Sequence, residues 1–319
     1  MIITRILPSA GMGNQMFMYA AGLAASRRLN TELLLDNAEF SELTRDDRPY
    51  QLSHFPEITE RTASFMDIWR MSPGTAVLHA ISLHKIRKYH IFRRLLRKSL
   101  FMLNLAPVHH NAIVNVSRCA QFPYPYKYSR VFLENKAYKD RFTELPDNTY
   151  ITGYWESEDY FADYAELVRK KFTFPQEYFN TALTSQVRSC NSVAVHVRRT
   201  DKVREDDSIA SNLPYISKAL KTIISMTDAA KFFVFSDDIE WCRQNLPKDY
   251  DYTFIDGQTP AQDMALMTQC KHVIMGPSTF SWWGAWLNVN PGKIVLVPNR
   301  KNEKNVDKSW YPRGAILID

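Results

Sequence analysis

The chain has 319 residues, 45% of them apolar and 13% aromatic, which predicts one large domain or two ordinary ones and excludes a wholly disordered chain. Lys and Arg number 40 against 34 Asp and Glu, a net charge of +6 that favours an anionic partner such as a nucleotide, a nucleic acid or a membrane surface. Residues 84–100 hold seven Lys and Arg and no acid, so the rest of the chain sums to 6 − 7 = −1. A protein coated in positive charge is therefore excluded.

The cysteines argue against a zinc knuckle and against a disulfide-stapled domain, because they lie far apart and form no CxxC pair. The first residues lack the apolar core of a signal peptide. No run of about 18 apolar residues predicts a membrane span. We therefore expect a cytoplasmic protein.

The first predicted elements are a strand at 2–7 and a helix at 15–29, joined by a loop that contains Gly11 and Gly13. Glycine is scarce, at 10 of 319 residues, so this pair marks a required backbone shape. A strand, a Gly-x-Gly loop and a helix point backbone N–H groups at an anion, and Asn14 and Gln15 add side-chain donors. The loop matches neither GxGxxG nor the P-loop pattern, and a plain strand–helix turn is the alternative.

Residues 40–150 carry the weakest pattern: the basic block at 84–100 favours a helix, and 122–128 a loop or an edge. From residue 190 the pattern is regular. Strands are predicted at 192–199, 231–235, 252–256, 272–276 and, as the last one, 293–298, and helices at 214–226, 239–246, 263–270 and 278–287. This alternation predicts a parallel sheet covered on both faces, with ligands at the carboxyl ends of its strands.

Arg198 and Arg199 stand at the end of the strand that begins this region. Two adjacent guanidinium groups match the oxygens of a diphosphate, although a surface pair bonded to Asp201 is the alternative. Ser278 and Thr279 open a helix, where hydroxyls serve as caps or bind phosphate.

Acidic residues come directly after the arginine pair, at Asp201, Glu205, Asp206 and Asp207. A general base for a sugar hydroxyl would come from such a set, and a solvated acidic loop is the alternative. Tryptophans at 282, 283 and 286 have the spacing of core residues rather than of a sugar platform.

Several segments, in order, resemble the bacterial α-1,2-fucosyltransferases. They are AGMGNQMFMYAAGLAA from residue 10, GYWESEDYF at 153–161, HVRRTD at 196–201, FSDDIEWCRQNL at 235–246, FIDG at 254–257 and DMALMTQCKHVIMGPSTFSWWGAWLN at 263–288. Residues 60–150 match that family poorly.

The resemblance implies transfer of L-fucose from GDP-fucose to the 2-hydroxyl of a terminal β-galactoside, with inversion and without a metal or other cofactor. It implies an α/β fold of the GT-B type, with two Rossmann-like lobes that contain parallel sheets. Arg198 and Arg199 match the arginines that bind the donor diphosphate, and His196 matches the motif histidine beside the nucleotide.

HVRRTDKV is also similar, more distantly, to the motif of the eukaryotic core α-1,6-fucosyltransferases. That likeness implies that His196 and Asp263 hold the guanine and that Ser278 and Thr279 bind phosphate. The base of that family stands ten residues after the motif histidine, which is Asp206 here, an Asp in place of Glu. Gly276 and Pro277 depart from the family pattern, since we expect an Asn before Ser278.

We therefore predict an acceptor-side lobe at 1–165 and a lobe that binds the GDP-sugar at 166–319. The loop at 11–15 would close on the donor, Arg198 would neutralise charge on the leaving GDP, and Asp206, or alternatively Asp201, would take the acceptor proton. The alternatives are another GDP-sugar or O-antigen transferase with a different linkage, and a nucleotide- or nucleic-acid-binding module. Salt sensitivity separates these alternatives. Binding to RNA would weaken steeply as the salt concentration rises, whereas binding to GDP through specific hydrogen bonds would not.

The basic block at 84–100 remains a separate hypothesis. Its apolar residues could face lipid while its cations face the headgroups, which would place the protein peripherally at the inner face of the membrane. An exposed basic helix is the alternative. No nucleic-acid partner is expected, because the chain without this block sums to −1.

Overall fold

The computed structural model of the chain describes two compact units. The first comprises Met1–Ser53 and Glu57–Lys171, and the second comprises His54–Pro56 and Phe172–Asp319. The described residues are 1–42, 48–71, 131–133, 142–179, 181–199, 213–228, 230–300 and 308–319.

Unit 1 is built on a parallel sheet with the strand order β2-β1-β4-β3 in its described part. The strands are β1 (Ile2–Arg5), β2 (Leu33–Asp36), β3 (Val131–Leu133) and β4 (Thr149–Thr152). The helices are α1 (Met12–Arg28), α2 (Phe65–Met71) and α3 (Ala165–Lys171), with short 3-10 helices at Ala38–Glu42, Leu52–His54, Glu158–Tyr160 and Ala162–Tyr164.

Unit 2 contains a parallel sheet of six strands in the order β10-β9-β8-β5-β6-β7. Its strands are β5 (Asn191–Val197), β6 (Ala230–Ser236), β7 (Tyr252–Phe254), β8 (His272–Ile274), β9 (Val295–Pro298) and β10 (Ile316–Ile318). Its helices are α4 (Thr181–Ser189), α5 (Leu213–Met226), α6 (Ile239–Asn245), α7 (Pro260–Met267) and α8 (Thr279–Leu287), and 3-10 helices lie at Gln176–Tyr178 and Lys308–Trp310. The predicted α/β class with two parallel sheets is confirmed.

The two faces of the unit 2 sheet are covered by different helices. The side chains of Val193, Val195 and Val197 pack in one cluster with residues of α5 and α6. Because successive side chains of a strand alternate between faces, Ala194 and His196 point to the other face. There α4 packs on β5 and on α7, and α7 packs on α8.

The predicted elements of unit 2 are confirmed within a few residues at each end, with two corrections. The strand at 293–298 is not the last, because β10 adds a parallel edge strand beside β9. Its three residues are too few to show alternation, and Leu317 is 46% exposed. Helix α7 begins at Pro260 rather than at 263, because Thr259 caps it in a capping box with Gln262.

The division between the units falls after Lys171, six residues beyond the predicted boundary at 165. The Lys171 ammonium lies 2.8 Å from a Glu60 carboxylate oxygen and donates to the Glu57 carbonyl at 2.6 Å. These contacts attach the end of α3 to unit 1, a long-range connection that local sequence patterns do not report.

Helix α1 packs very closely on β1 at Gly22. A Cβ atom added there would lie 2.7 Å from the Thr4 Cβ and 3.1 Å from a Leu33 methyl carbon. The Thr4 hydroxyl also donates to the Met18 carbonyl at 3.0 Å, so this contact has little freedom to widen. Glycine at this position therefore sets the distance between helix and sheet.

We expect Gly22→Ala to lower the free energy of unfolding by about 1–3 kcal/mol, because overpacking a tight core contact outweighs the better helix propensity of alanine. Chemical denaturation would measure the change. Gly292→Ala is the matched control, since its nearest neighbour, the Asn290 side-chain oxygen, lies 3.9 Å from the added carbon. Equal stability of the two variants would contradict the prediction.

Candidate active site

The unit 2 sheet has a topological switch point between β5 and β8. The chain continues from β5 through β6 to β7 on one side, and then returns to β8, β9 and β10 on the other. Open α/β sheets bind ligands in the crevice at the carboxyl ends of the strands beside such a point. The segments that leave this edge are 198–199 after β5 and 275–278 after β8, so the predicted arginine and serine residues meet there.

His196 lies near the carboxyl end of β5 and is buried, at 7% exposure. Its ring stands 5.5 Å from the Phe280 ring of α8. Burial, with a further contribution from the Arg198 charge, lowers the pKa of His196 to about 4, so the imidazole is neutral at pH 7. Its Nδ1 atom is buried and has no hydrogen-bond partner in the described part of the chain.

Gly276 allows the segment after β8 to approach His196. A Cβ atom at this position would lie 2.9 Å from the His196 carbonyl oxygen and 3.0 Å from its Nδ1. Backbone oxygen cannot move aside cheaply, so glycine is required there. The glycine at position 276 therefore has a steric reason in this chain, whereas nothing in the structure explains Pro277.

Arg198 and Ser278 join the two sides of the switch point. The Arg198 Nη1 donates to the Ser278 hydroxyl oxygen at 3.3 Å. Ser278 is the N-cap of α8, and its hydroxyl oxygen accepts from the Phe280 amide at 3.2 Å. Thr279 is the first residue of α8. A guanidinium group beside a helix N-terminus is a combination that attracts phosphate oxygens.

Arg199 has a different environment, although it is the next residue. Its Nε lies 3.2 Å from an Asp238 carboxylate oxygen, and its guanidinium carbon lies 4.0 Å from the centre of the Trp241 ring. Its backbone amide donates to the Asp237 carboxylate at 2.8 Å. The structure thus places the two arginines on different partners, and sequence reasoning missed Asp238 and Trp241.

Asp263 lies in α7, which starts from the same carboxyl edge after β7 and packs against α8. Burial, together with the charge of Asp256, raises the pKa of Asp263 to about 7. Its Oδ1 is buried and has no hydrogen-bond partner among the residues that the structure describes. Asp263 and His196 therefore supply two unsatisfied polar atoms on one face of the sheet, and a bound ligand would remove the cost of such atoms.

In unit 1 the predicted loop begins α1. Gly11 is the N-cap, without a side-chain cap, and Gly13 is buried in the first turn. The side-chain oxygen of Asn14 is buried and accepts no hydrogen bond in the described residues, which leaves it available to a ligand.

Gln15 has a structural task in this loop and is fully buried. Its Nε2 donates to the carbonyls of Ala10 at 2.9 Å and Pro49 at 3.0 Å, and its Oε1 accepts from the Gln51 amide at 2.8 Å. These bonds fix two backbone segments to each other. A contact of Gln15 with the donor finds no support in this geometry.

A polar network that the sequence did not reveal lies at the carboxyl edge of the unit 1 sheet. The buried Arg5 pairs with Glu39 at 2.7 Å, and the Tyr150 hydroxyl donates to Asp36 at 2.5 Å. Burial and the Asp36 charge raise the pKa of Tyr150 well above its ordinary value. The strands that carry Asp36 and Tyr150 were not predicted, so no sequence signal could bring these residues together.

Asp201 and Asp206, the candidate bases, fall outside the described residues, and so does the basic block at 84–100. Within the described ranges, no group of three His, Cys, Asp or Glu side chains could hold a metal ion. The predicted core role of the tryptophans is confirmed, since Trp282 and Trp283 are fully buried and Trp286 is 5% exposed.

An arginine and a helix N-terminus at the switch point of a parallel α/β sheet are typical of enzymes that bind a nucleotide or a nucleotide-linked substrate. The chain belongs to glycosyl transferase family 11, whose family model matches residues 125–314. It is a glycosyltransferase, and the resemblance to α-1,2-fucosyltransferases is confirmed at the level of the family.

Three glycosyltransferases are similar to this chain, and two of them are named for an α-1,2 linkage. An Escherichia coli alpha-1,2-colitosyltransferase is 27% identical over 315 residues, covering 95% of this chain and 94% of that protein. The Escherichia coli O-antigen biosynthesis glycosyltransferase WbnK is 24% identical and covers 95% of this chain and 97% of that protein. Human galactoside alpha-(1,2)-fucosyltransferase 1 is 32% identical over 184 residues, 52% of this chain and 50% of that protein.

Proposed function

We propose that the protein transfers L-fucose from GDP-fucose to the 2-hydroxyl of a terminal β-galactoside, with inversion, to form an α-1,2 linkage. The observation that carries the proposal is the joining of Arg198 to Ser278 at the β5–β8 switch point, in a member of glycosyl transferase family 11. The α-1,2 linkage named for relatives in Escherichia coli and in human supports the regiochemistry.

The donor diphosphate would bind at Arg198 and at the start of α8, where Ser278 and Thr279 lie. The guanidinium group would neutralise the negative charge that develops on GDP as the bond to the fucose C1 breaks. No metal is part of this proposal, because the cation and the helix N-terminus already complement the leaving group.

The guanine would bind on the face of the sheet that carries His196 and Asp263. Guanine presents an N1–H and a 2-amino group side by side, and an ionised carboxylate accepts both. The unsatisfied Asp263 Oδ1 supports this role. Asn14 is proposed to contact the fucose or the acceptor through its own unsatisfied oxygen.

The acceptor hydroxyl must lose a proton as it attacks the fucose C1 from the side opposite to GDP. We propose Asp206 as the general base, with Asp201 as the alternative. Both lie in the sequence segment that follows Arg199.

Colitose is the second candidate for the transferred sugar, and one specific observation favours it. The alpha-1,2-colitosyltransferase matches 95% of this chain, whereas the human fucosyltransferase matches 52%. Colitose is fucose without the 3-hydroxyl, so the two donors share the guanine, the diphosphate and the attacked carbon. An enzyme would therefore distinguish the two donors through its contacts with the 3-hydroxyl of fucose.

The test is a transfer assay with GDP-fucose, GDP-colitose and GDP-mannose on lactose, N-acetyllactosamine and Galβ1-3GalNAc. We expect turnover with GDP-fucose and an α-1,2 product identified by NMR. Acceptors in which the galactose 2-hydroxyl is replaced by hydrogen are the matched controls and should be inert. Product from a 2-deoxy acceptor would contradict the α-1,2 linkage. Turnover with GDP-colitose but not with GDP-fucose would contradict GDP-fucose as the donor.

We propose that the protein is cytoplasmic and that residues 84–100 contact the membrane surface. No helix in the described part of the chain is both long and apolar enough to span a bilayer. Equal binding of the protein to neutral and anionic vesicles would count against peripheral docking.

A further inference from the structure

The two arginines of the HVRR segment leave β5 toward opposite faces of the sheet. Side chains alternate along an extended strand, and Val197 belongs to the cluster with α5 and α6, whereas His196 faces α8. The side-chain contacts continue this alternation, since Arg198 reaches Ser278 before α8 and Arg199 reaches Trp241 in α6. The arginines therefore do not form one continuous cationic surface.

Arg199 is held by three different contacts at the corner between β6 and α6. Its guanidinium pairs with Asp238 at 3.2 Å and lies over the Trp241 ring at 4.0 Å, and its backbone amide donates to Asp237 at 2.8 Å. Asp238 is itself fixed, because it caps α6 by accepting from the Trp241 amide and its own amide donates to the Ser236 hydroxyl. The Arg199 side chain is 16% exposed.

The charges around the two arginines also differ. Arg199 pairs with the Asp238 carboxylate and its backbone amide donates to the Asp237 carboxylate, and carboxylates beside a guanidinium weaken its attraction for a diphosphate. The Arg198 guanidinium donates to a hydroxyl at a helix N-terminus, a position that favours an anion. The ion pair engages the Nε of Arg199, so a phosphate at its Nη groups would share the guanidinium with the Asp238 carboxylate.

We infer that Arg199 is a positioning residue and not a ligand of the donor diphosphate. It fixes the end of β5 to the β6–α6 corner, and thereby aims Arg198 at the leaving phosphate from the other face. This inference rests on the proposed function, and it divides between two residues a role that the motif suggests they share.

The test compares Arg199→Ala, Asp238→Asn and the double variant, with kcat measured for fucosyl transfer and Kd measured for GDP by calorimetry. Asparagine caps a helix as well as aspartate does, so Asp238→Asn removes the ion pair and keeps α6. A positioning role predicts that kcat falls about tenfold in each variant, with no further fall in the double variant, while Kd for GDP changes less than about threefold.

Asp251→Asn is the matched control. It also removes one carboxylate from an ion pair of unit 2, the 3.4 Å pair with Lys231, and it should leave kcat unchanged.

A direct phosphate contact predicts the opposite pattern and would overturn the inference. Arg199→Ala would then weaken GDP binding more than tenfold, whereas Asp238→Asn would tighten it by releasing a cation. Thermal unfolding of each variant shows whether a loss of kcat comes from loss of fold. A wild-type chain that neither binds GDP nor transfers fucose would overturn the proposed function itself, and this inference with it.

Discussion

Arg198→Ala is expected to lower kcat/KM for GDP-fucose by about 10²–10³, the usual cost of removing one preorganised group that stabilises transition-state charge. The fold should survive, because the Ser278 hydroxyl keeps its bond from the Phe280 amide when the guanidinium is gone. Steady-state kinetics together with thermal unfolding would measure both effects. Arg198→Lys should fall between wild type and Arg198→Ala, since it keeps the charge and loses the planar fork.

Arg188→Ala is the control for this experiment. Arg188 lies in the same unit, is exposed and donates to the Gln269 side chain rather than to the switch point. Its loss should leave kcat/KM unchanged. Full turnover of Arg198→Ala with GDP-fucose would reject the diphosphate role.

Asp263→Asn is expected to weaken GDP binding by about 10–100-fold at pH 8, because it removes an ionised acceptor of two guanine N–H groups. The pKa of Asp263 in the free protein is about 7. Bound guanine favours the carboxylate, so the affinity of the wild-type protein for GDP should rise from pH 6 to about pH 7 and then level off. Calorimetry across this range should show that Asp263→Asn loses this dependence, and an unchanged pH profile would contradict the role.

The same substitution should increase stability. The pKa of Asp263 is raised from its ordinary 3.8 to about 7 in the folded chain, so its stability contribution is present below about pH 4 and is lost as the pH rises through 7. Asp263→Asn should therefore raise the free energy of unfolding by about 1–3 kcal/mol at pH 8 and by little at pH 4. Asp249→Asn, at an exposed position, should change neither stability nor GDP binding.

The strands and helices of unit 2 could be predicted because alternating apolar residues mark strands and capping residues mark the start of helices. Strand β5 shows Val193, Val195 and Val197 in alternation, and Ser278 marks the start of α8. In unit 1, β2 is four residues long and buried throughout, and β4 has the same pattern of burial. Short strands buried on both faces lack alternation, so sequence reasoning missed them.

The site was predictable where the residue type and its place at the end of a strand or the start of a helix suffice to indicate phosphate binding, as for Arg198 and Ser278. It was not predictable where the outcome depends on which neighbour a side chain meets. The alternation that continues from Val197 could have indicated that Arg199 faces α6. The closeness of Gly276 to His196 depends on the pairing of β5 with β8, which local sequence does not encode.

The three residues His54–Pro56 belong to unit 2, although the chain on either side of them belongs to unit 1. The Phe55 ring is buried against Phe172 and Phe174, each 5.0 Å away between ring centres, and His54 bonds to the Tyr178 hydroxyl at 2.6 Å. Loss of a buried Phe side chain costs about 3–5 kcal/mol. A gene fragment that begins at Phe172 would therefore encode an incomplete fold, and a chimera that takes unit 2 from this chain has to take this tripeptide along with the C-terminal half.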